Sequence, residues 1–140
     1  MVGVGTTDSN NYAIDTNEPT VEVTMDSSAL EVGETTTVTF TFSESPTNFT
    51  SDYITIGSGA IGAINSPPLT AQTAIYTPTD DLEEDINVIS VGTAWTDTAC
   101  NAPEAISNSL TYTVDTKEPT SSISYSNDHA VSVTVMVQSL

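Results

Sequence analysis

Nineteen aspartates and glutamates stand against a single lysine or arginine in 140 residues, giving a formal net charge of −18. Two groups of these acids could do chemistry: Asp15, Glu18, Glu44 and Asp97 together with Asn101, and a looser set of Asp80, Asp81, Asp115 and Glu118. Gathered carboxylates with no basic residue among them repel one another unless a cation sits between them. Hard oxygen ligands of this kind suit Ca2+, and backbone carbonyls and water would complete the about six to eight ligands that this ion takes. The spacing alone is a weak signal, because the chain has no Asp-x-Asp-x-Asp-Gly loop. Asp97 and Asn101 also suit hydrogen bonds within their own turn, and the acidic run 80–85 suits a solvated turn.

Other reactive groups are few. His129 is the only histidine and has neither a serine motif nor an ordered acid to form a triad. Cys100 is the only cysteine, so no intrachain disulfide forms, and with no histidine partner it reads as a small buried loop residue. Trp95 is the best candidate for a sugar-stacking platform, but a tryptophan before a tight loop reads first as a core plug. Asn48-Phe49-Thr50 fits a glycosylation sequon whose central Phe49 is expected to point into the core. No enzyme is expected. The charge excludes nucleic acid and anionic membrane surfaces as partners, and no apolar run approaches the roughly 20 residues that span a bilayer. Met1-Val2-Gly3-Val4-Gly5 lacks the basic and apolar regions of a secretion signal, so an export or anchoring signal is expected outside this chain.

The elements that must position these residues are strands. Asp15-Thr16-Asn17-Glu18-Pro19-Thr20 returns as Asp115-Thr116-Lys117-Glu118-Pro119-Thr120, differing only at Asn17 against Lys117, with a period of 115 − 15 = 100 residues. Tyr12-Ala13-Ile14 before the first copy matches Tyr112-Thr113-Val114 before the second. The chain is thus a slice of a tandem array. Residues 1–14 are the last strand of a preceding repeat or an extension, 15–114 one complete repeat, and 115–140 a linker with the first strands of an incomplete following repeat. A period near 100 matches a self-sufficient β-sandwich.

Period-two alternation predicts the strands. Val21, Val23 and Met25 share a face; Val38, Phe40 and Phe42 alternate with threonines, which combine β preference with a wet face. Phe49 plugs the core, followed by Tyr53, Ile54 and Ile56, then short edge strands before and around Pro67-Pro68. Ala74 and Tyr76 point inward, residues 86–91 form a strand after the acidic run, and Leu110, Tyr112 and Val114 close the repeat. Residues 131–137 alternate as the second strand of the next repeat. About seven strands without helices read as an all-β, immunoglobulin-like sandwich. In that topology the start of the first strand, the loop after the second and the loop before the last share one pole. Asp15 and Glu18 thereby come near Glu44, Asp97 and Asn101, while Asp80, Asp81, Asp115 and Glu118 gather at the opposite pole.

Leu30-Glu31-Val32-Gly33-Glu34-Thr35, Val38-Thr39-Phe40-Thr41-Phe42-Ser43-Glu44, Phe49-Thr50-Ser51-Asp52, Tyr76-Thr77-Pro78-Thr79, Trp95-Thr96-Asp97-Thr98-Ala99-Cys100-Asn101 and the Asp-Thr-x-Glu-Pro-Thr linkers resemble the bacterial Ig-like repeats of very large cell-surface adhesins. Cys100 replaces a glycine usual in that loop, and Glu18 and Glu118 stand where alanine is more common. The resemblance implies an extracellular stalk of rigidly joined domains, often with Ca2+ at or near the joints. The leading expectation is therefore a structural extender repeat whose partners are neighbouring repeats. Two others stand beside it: a subunit that forms fibres by exchanging its end strands, and a carbohydrate-binding module centred on Trp95.

Overall fold

Pro19 is fully buried where the chain enters its first strand, β1 (Val21–Met25). The computed structural model describes residues 3, 5, 6, 9–124 and 134–137. After β1 come β2 (Ala29–Glu31), β3 (Thr36–Phe42), β4 (Pro46–Thr47), a single 3-10 turn at Ser51–Tyr53, β5 (Ile54–Thr55), β6 (Ala60–Ile61) and β7 (Ala71–Thr77). The second half adds β8 (Glu83–Asn87), β9 (Ser90–Val91), β10 (Thr96–Asp97), β11 (Ser107–Asn108), β12 (Tyr112–Asp115), β13 (Ser121–Ser124) and β14 (Thr134–Val137). No described helix is long and apolar enough to cross a membrane.

One layer is the antiparallel sheet β1-β3-β7-β6. The facing layer consists of two patches, β2-β12-β8 and β11-β9-β5, in which β2 runs parallel to β12. This is the ABED against CFG arrangement of an immunoglobulin-like sandwich. A short ribbon of β4 and β10 crosses one pole.

Alternation produces the core as the sequence requires. Val21 and Val23 of β1, Val38, Phe40 and Phe42 of β3, and Ala74 and Tyr76 of β7 face Leu30, Ile89, Val91, Tyr112 and Val114, with Phe49 and Trp95 filling the end. Each valine, leucine, isoleucine and phenylalanine among them contributes about 1.5–3 kcal/mol on burial. Tyr76 and Tyr112 meet edge to face with centroids 5.4 Å apart, and the Tyr76 hydroxyl donates to the Ser58 carbonyl at 2.9 Å. Burial raises the Tyr112 phenol above its ordinary range, with Tyr76 adding to the effect. The buried core cluster, from Val21 to Val114, lies within one repeat.

Several expectations need correction. Leu110 is 88% exposed, because the last strand breaks between Asn108 and Tyr112 and the break resets which side chains face inward. Residues 86–91 do not form one strand: β8 begins earlier, at Glu83, and Ile86 is 78% exposed. The run 80–85 is therefore a turn only in its first half. Backbone pairing decides this, since Glu83 and Glu84 lie opposite Asp115 and Val114 of β12. Tyr53 ends the 3-10 turn rather than starting a strand. Tyr12-Ala13-Ile14 is not a strand and is exposed, having no partner ladder among the described residues.

Residues 131–133 lie outside the described residues, but β14 pairs with β13 much as β3 pairs with β1. Val23 lies opposite Phe40, and Ile123 opposite Val135. Val21↔Phe42 becomes Ser121↔Val137, so the same hairpin returns one period later with a connection shorter by 142 − 137 = 5 residues.

Phe40→Ala, at the fully buried centre of β3, is expected to lower the free energy of unfolding by about 3–5 kcal/mol, read from guanidinium titration. Leu110→Ser, on the exposed break, should change it by no more than about 0.5 kcal/mol.

Candidate metal site

Two core aromatics deliver the pole that carries the acids. Phe42 ends β3 and packs edge to face on Trp95 with centroids 5.1 Å apart. Two residues beyond each partner stand Glu44 and Asp97, and the β4–β10 ribbon pairs Asp97 with Pro46 and Thr96 with Thr47. Trp95 is only 1% exposed, so its ring is a core plug with no face to offer a sugar.

Asp97 is buried and organises its own loop. Its Oδ1 accepts from the backbone N–H groups of Ala99 and Asn101, both at 2.8 Å, and its Oδ2 accepts from the Asn101 side-chain amide at 3.0 Å. The Thr47 hydroxyl donates to the Asp97 carbonyl at 2.9 Å and ties the loop to β4. Asn101 also donates to the Asp15 carbonyl at 3.1 Å, which fastens the incoming chain to the same loop. Asp15 makes its own turn by accepting the Asn17 N–H at 3.0 Å.

Asp15, half-buried Glu44 and Asp97 each offer a carboxylate oxygen, and these atoms lie within 4.8 Å of one another. Asn101 joins them through its hydrogen bonds. Glu18 is exposed and stands outside the group. No lysine or arginine precedes Lys117, so nothing basic can neutralise the three acids. The electrostatics follow from this. Partial burial raises Glu44 above its ordinary 4.5, and the charges of Asp15 and Asp97 push the same way. Burial also acts to raise Asp97, but the hydrogen bonds from Asn101, Ala99 and Cys100 outweigh it and hold the group below its ordinary 3.8.

At the opposite pole the second set is divided. Asp80, Asp81 and Glu118 line a shallow cleft with Val32, Gly33 and Thr116, whereas Asp115 lies at the end of β12 in a neighbouring depression with Lys117. Lys117 Nζ lies 3.8 Å from a Glu83 carboxylate oxygen, an exposed pair of little energetic weight. Among the described residues no trio of acids meets here as at the first pole.

Cys100 is exposed, contrary to the expectation that it is buried, and has φ +72. The loop keeps the left-handed conformation that favours glycine even though a side chain is present. His129 lies outside the described residues. Sequence reasoning missed Ser43 and Thr116. Ser43 Oγ accepts the Thr20 N–H and Ser43 N–H donates to the Thr20 carbonyl, both at 2.9 Å. Thr116 is 3% exposed; its hydroxyl donates to the Thr79 carbonyl at 2.6 Å and accepts the Leu82 N–H at 3.0 Å. The recurrence of threonine at the second place of the hexapeptide was the available signal.

A family model described as bacterial Ig-like domain matches residues 15–114. No curated protein and no solved structure matches the chain.

The pH dependence separates the two acids. Asp97, held low, contributes stability that is complete above 3.8 and lost as pH falls through its lowered value. Glu44, held high, has the opposite sign: its ionisation costs stability, which returns as pH falls through its raised value toward 4.5. In metal-free buffer at pH 7, Glu44→Gln should therefore raise the thermal midpoint and remove the gain on mild acidification. Asp97→Asn should lower the midpoint and flatten the loss below 3.8. Melts followed by circular dichroism across pH 3–7 check both.

Proposed function

Because the chain belongs to the bacterial Ig-like domain family, we propose that it is an extender repeat of a secreted or surface-anchored bacterial adhesin, with Ca2+ stiffening the joints between repeats. The observation that supports the cation is the meeting of Asp15, Glu44 and Asp97 oxygens within 4.8 Å, without a basic neighbour. Asp15 belongs to the linker, whereas Glu44 and Asp97 belong to the sandwich. An ion held by all three ties the linker to the domain and removes the repulsion that adds to burial in raising Glu44. Asn101 already links the same parts by hydrogen bonds, so the ion adds to a scaffold that is partly formed.

The role is mechanical, not catalytic: the repeat holds a distal binding region away from the cell. The return of the β1–β3 register in β13–β14 supports an array of such units. The acidic, lysine-poor composition fits an extracellular setting.

Titrating Ca2+ into protein freed of metal by EDTA should raise the melting temperature in a saturable way, with a midpoint on the order of 0.1–1 mM as for extracellular modules. Mg2+ at matched ionic strength should not reproduce it. Asp15→Ala should weaken Ca2+ binding, read by calorimetry, without unfolding the sandwich. Equal responses to both ions would leave the carboxylates as a solvated surface.

A further inference from the structure

The two copies of the hexapeptide show complementary halves of one joint. In the second copy Thr116 is buried, with its hydroxyl bonded to Thr79 and Leu82 and its backbone N–H donating to the Leu82 carbonyl at 2.8 Å, while Pro119 is exposed. In the first copy the pattern is inverted: Thr16 is exposed, and Pro19 is fully buried beside Thr20, which Ser43 holds from both sides. Between the anchors both copies use the same turn, with the Asn17 N–H on Asp15 Oδ1 at 3.0 Å and the Lys117 N–H on Asp115 Oδ1 at 3.4 Å.

We propose that the hexapeptide is a two-ended plug, its second residue locked into the repeat before it and its fifth into the repeat after it, so that consecutive repeats seat directly on each other. The inference rests on the tandem-array reading above, but not on the cation. Between the two anchors lie only Lys117 and Glu118 in the second copy, and both still lie against the repeat before them, Lys117 beside Glu83 and Glu118 in the cleft with Asp80 and Asp81. The anchoring residues are three positions apart, and a fully extended chain spans at most about 11 Å over that distance. That leaves no room for a solvated spacer between two sandwich ends. The partner of the pole bearing Val32, Gly33, Asp80 and Asp81 is thus the Glu44–Asp97 pole of the next repeat. Thr116 is a positioning residue: it seals the exit of β12 and fixes the direction in which the chain leaves.

The test uses residues 15–120 followed directly by a second copy of residues 21–120, so that the first residues 115–120 form the joint in which the variants are made; the buried core, Val21 to Val114, lies within each repeat. Spin labels at Thr24→Cys in each copy, on a Cys100→Gly background, report the distance distribution between repeats in EDTA and in Ca2+. Circular dichroism melts confirm that each variant folds. A narrow distribution in both conditions, broadened about twofold or more by inserting Gly-Gly-Ser after Lys117 and broadened in the same direction by Thr116→Val, is the expected result. A native distribution that is broad in EDTA and narrow in Ca2+ would overturn the plug and leave the cation-stiffened joint standing. One as broad as the insertion variant in both conditions would overturn both.

Discussion

The edge-to-face contact of Phe42 with Trp95 is the interaction on which the functional pole depends. Such a pair adds about 0.5–1.5 kcal/mol to its area burial, and here it also sets geometry. Phe42 is the last residue of β3, Trp95 stands one residue before β10, and Phe49 packs against both. Packing these three rings brings two chain ends together, and those ends carry Ser43-Glu44 and Thr96-Asp97. The hydrophobic core thus determines which acids meet, and the polar loop supplies only the final orientation through the hydrogen bonds of Asp97.

A chain with one basic residue cannot neutralise its acids in pairs. It can disperse them, bond them to backbone N–H groups, or share them around an ion. The first two occur in this molecule, and the third is the one proposed for its acidic pole. Glu83, Glu84 and Asp85 are spread along the exposed strand β8, Asp97 takes two backbone N–H groups and a side-chain amide, and Asp15 with Glu44 stands beside it at coordinating distance. The first solution keeps the surface soluble, the second builds the loop, and the third gives the pole its affinity for positive charge in the proposed reading.

Much of this was legible in the residues. Alternating valine, phenylalanine and threonine fixed the inward face of β1, β3 and β7, because a strand of period two has only two ways to face. It failed at Leu110 and Ile86, where a break and an early strand start change the parity without any glycine or proline to announce it. At the site, topology sufficed to bring Asp15 to Glu44 and Asp97, since loops at one pole of a sandwich must be neighbours. Glu18 is exposed and outside the group, which its place in the same hexapeptide did not reveal. Ser43 and Thr116 escaped because a hydroxyl that bonds to backbone looks the same in sequence as one that faces water.

The parallel pairing of β2 with β12 has a consequence for a chain under tension. Thr113, Val114 and Asp115 lie opposite Ala29, Leu30 and Glu31, close to the point where the strand leaves the repeat. A pull transmitted through Pro19 at one end and Thr116 at the other drags these two strands along each other, so their hydrogen bonds are loaded in shear and must fail together. An antiparallel pair peeled from its end would instead lose them one by one. Flow or a moving surface would therefore test the unfolding rate of this patch rather than the equilibrium stability of the sandwich.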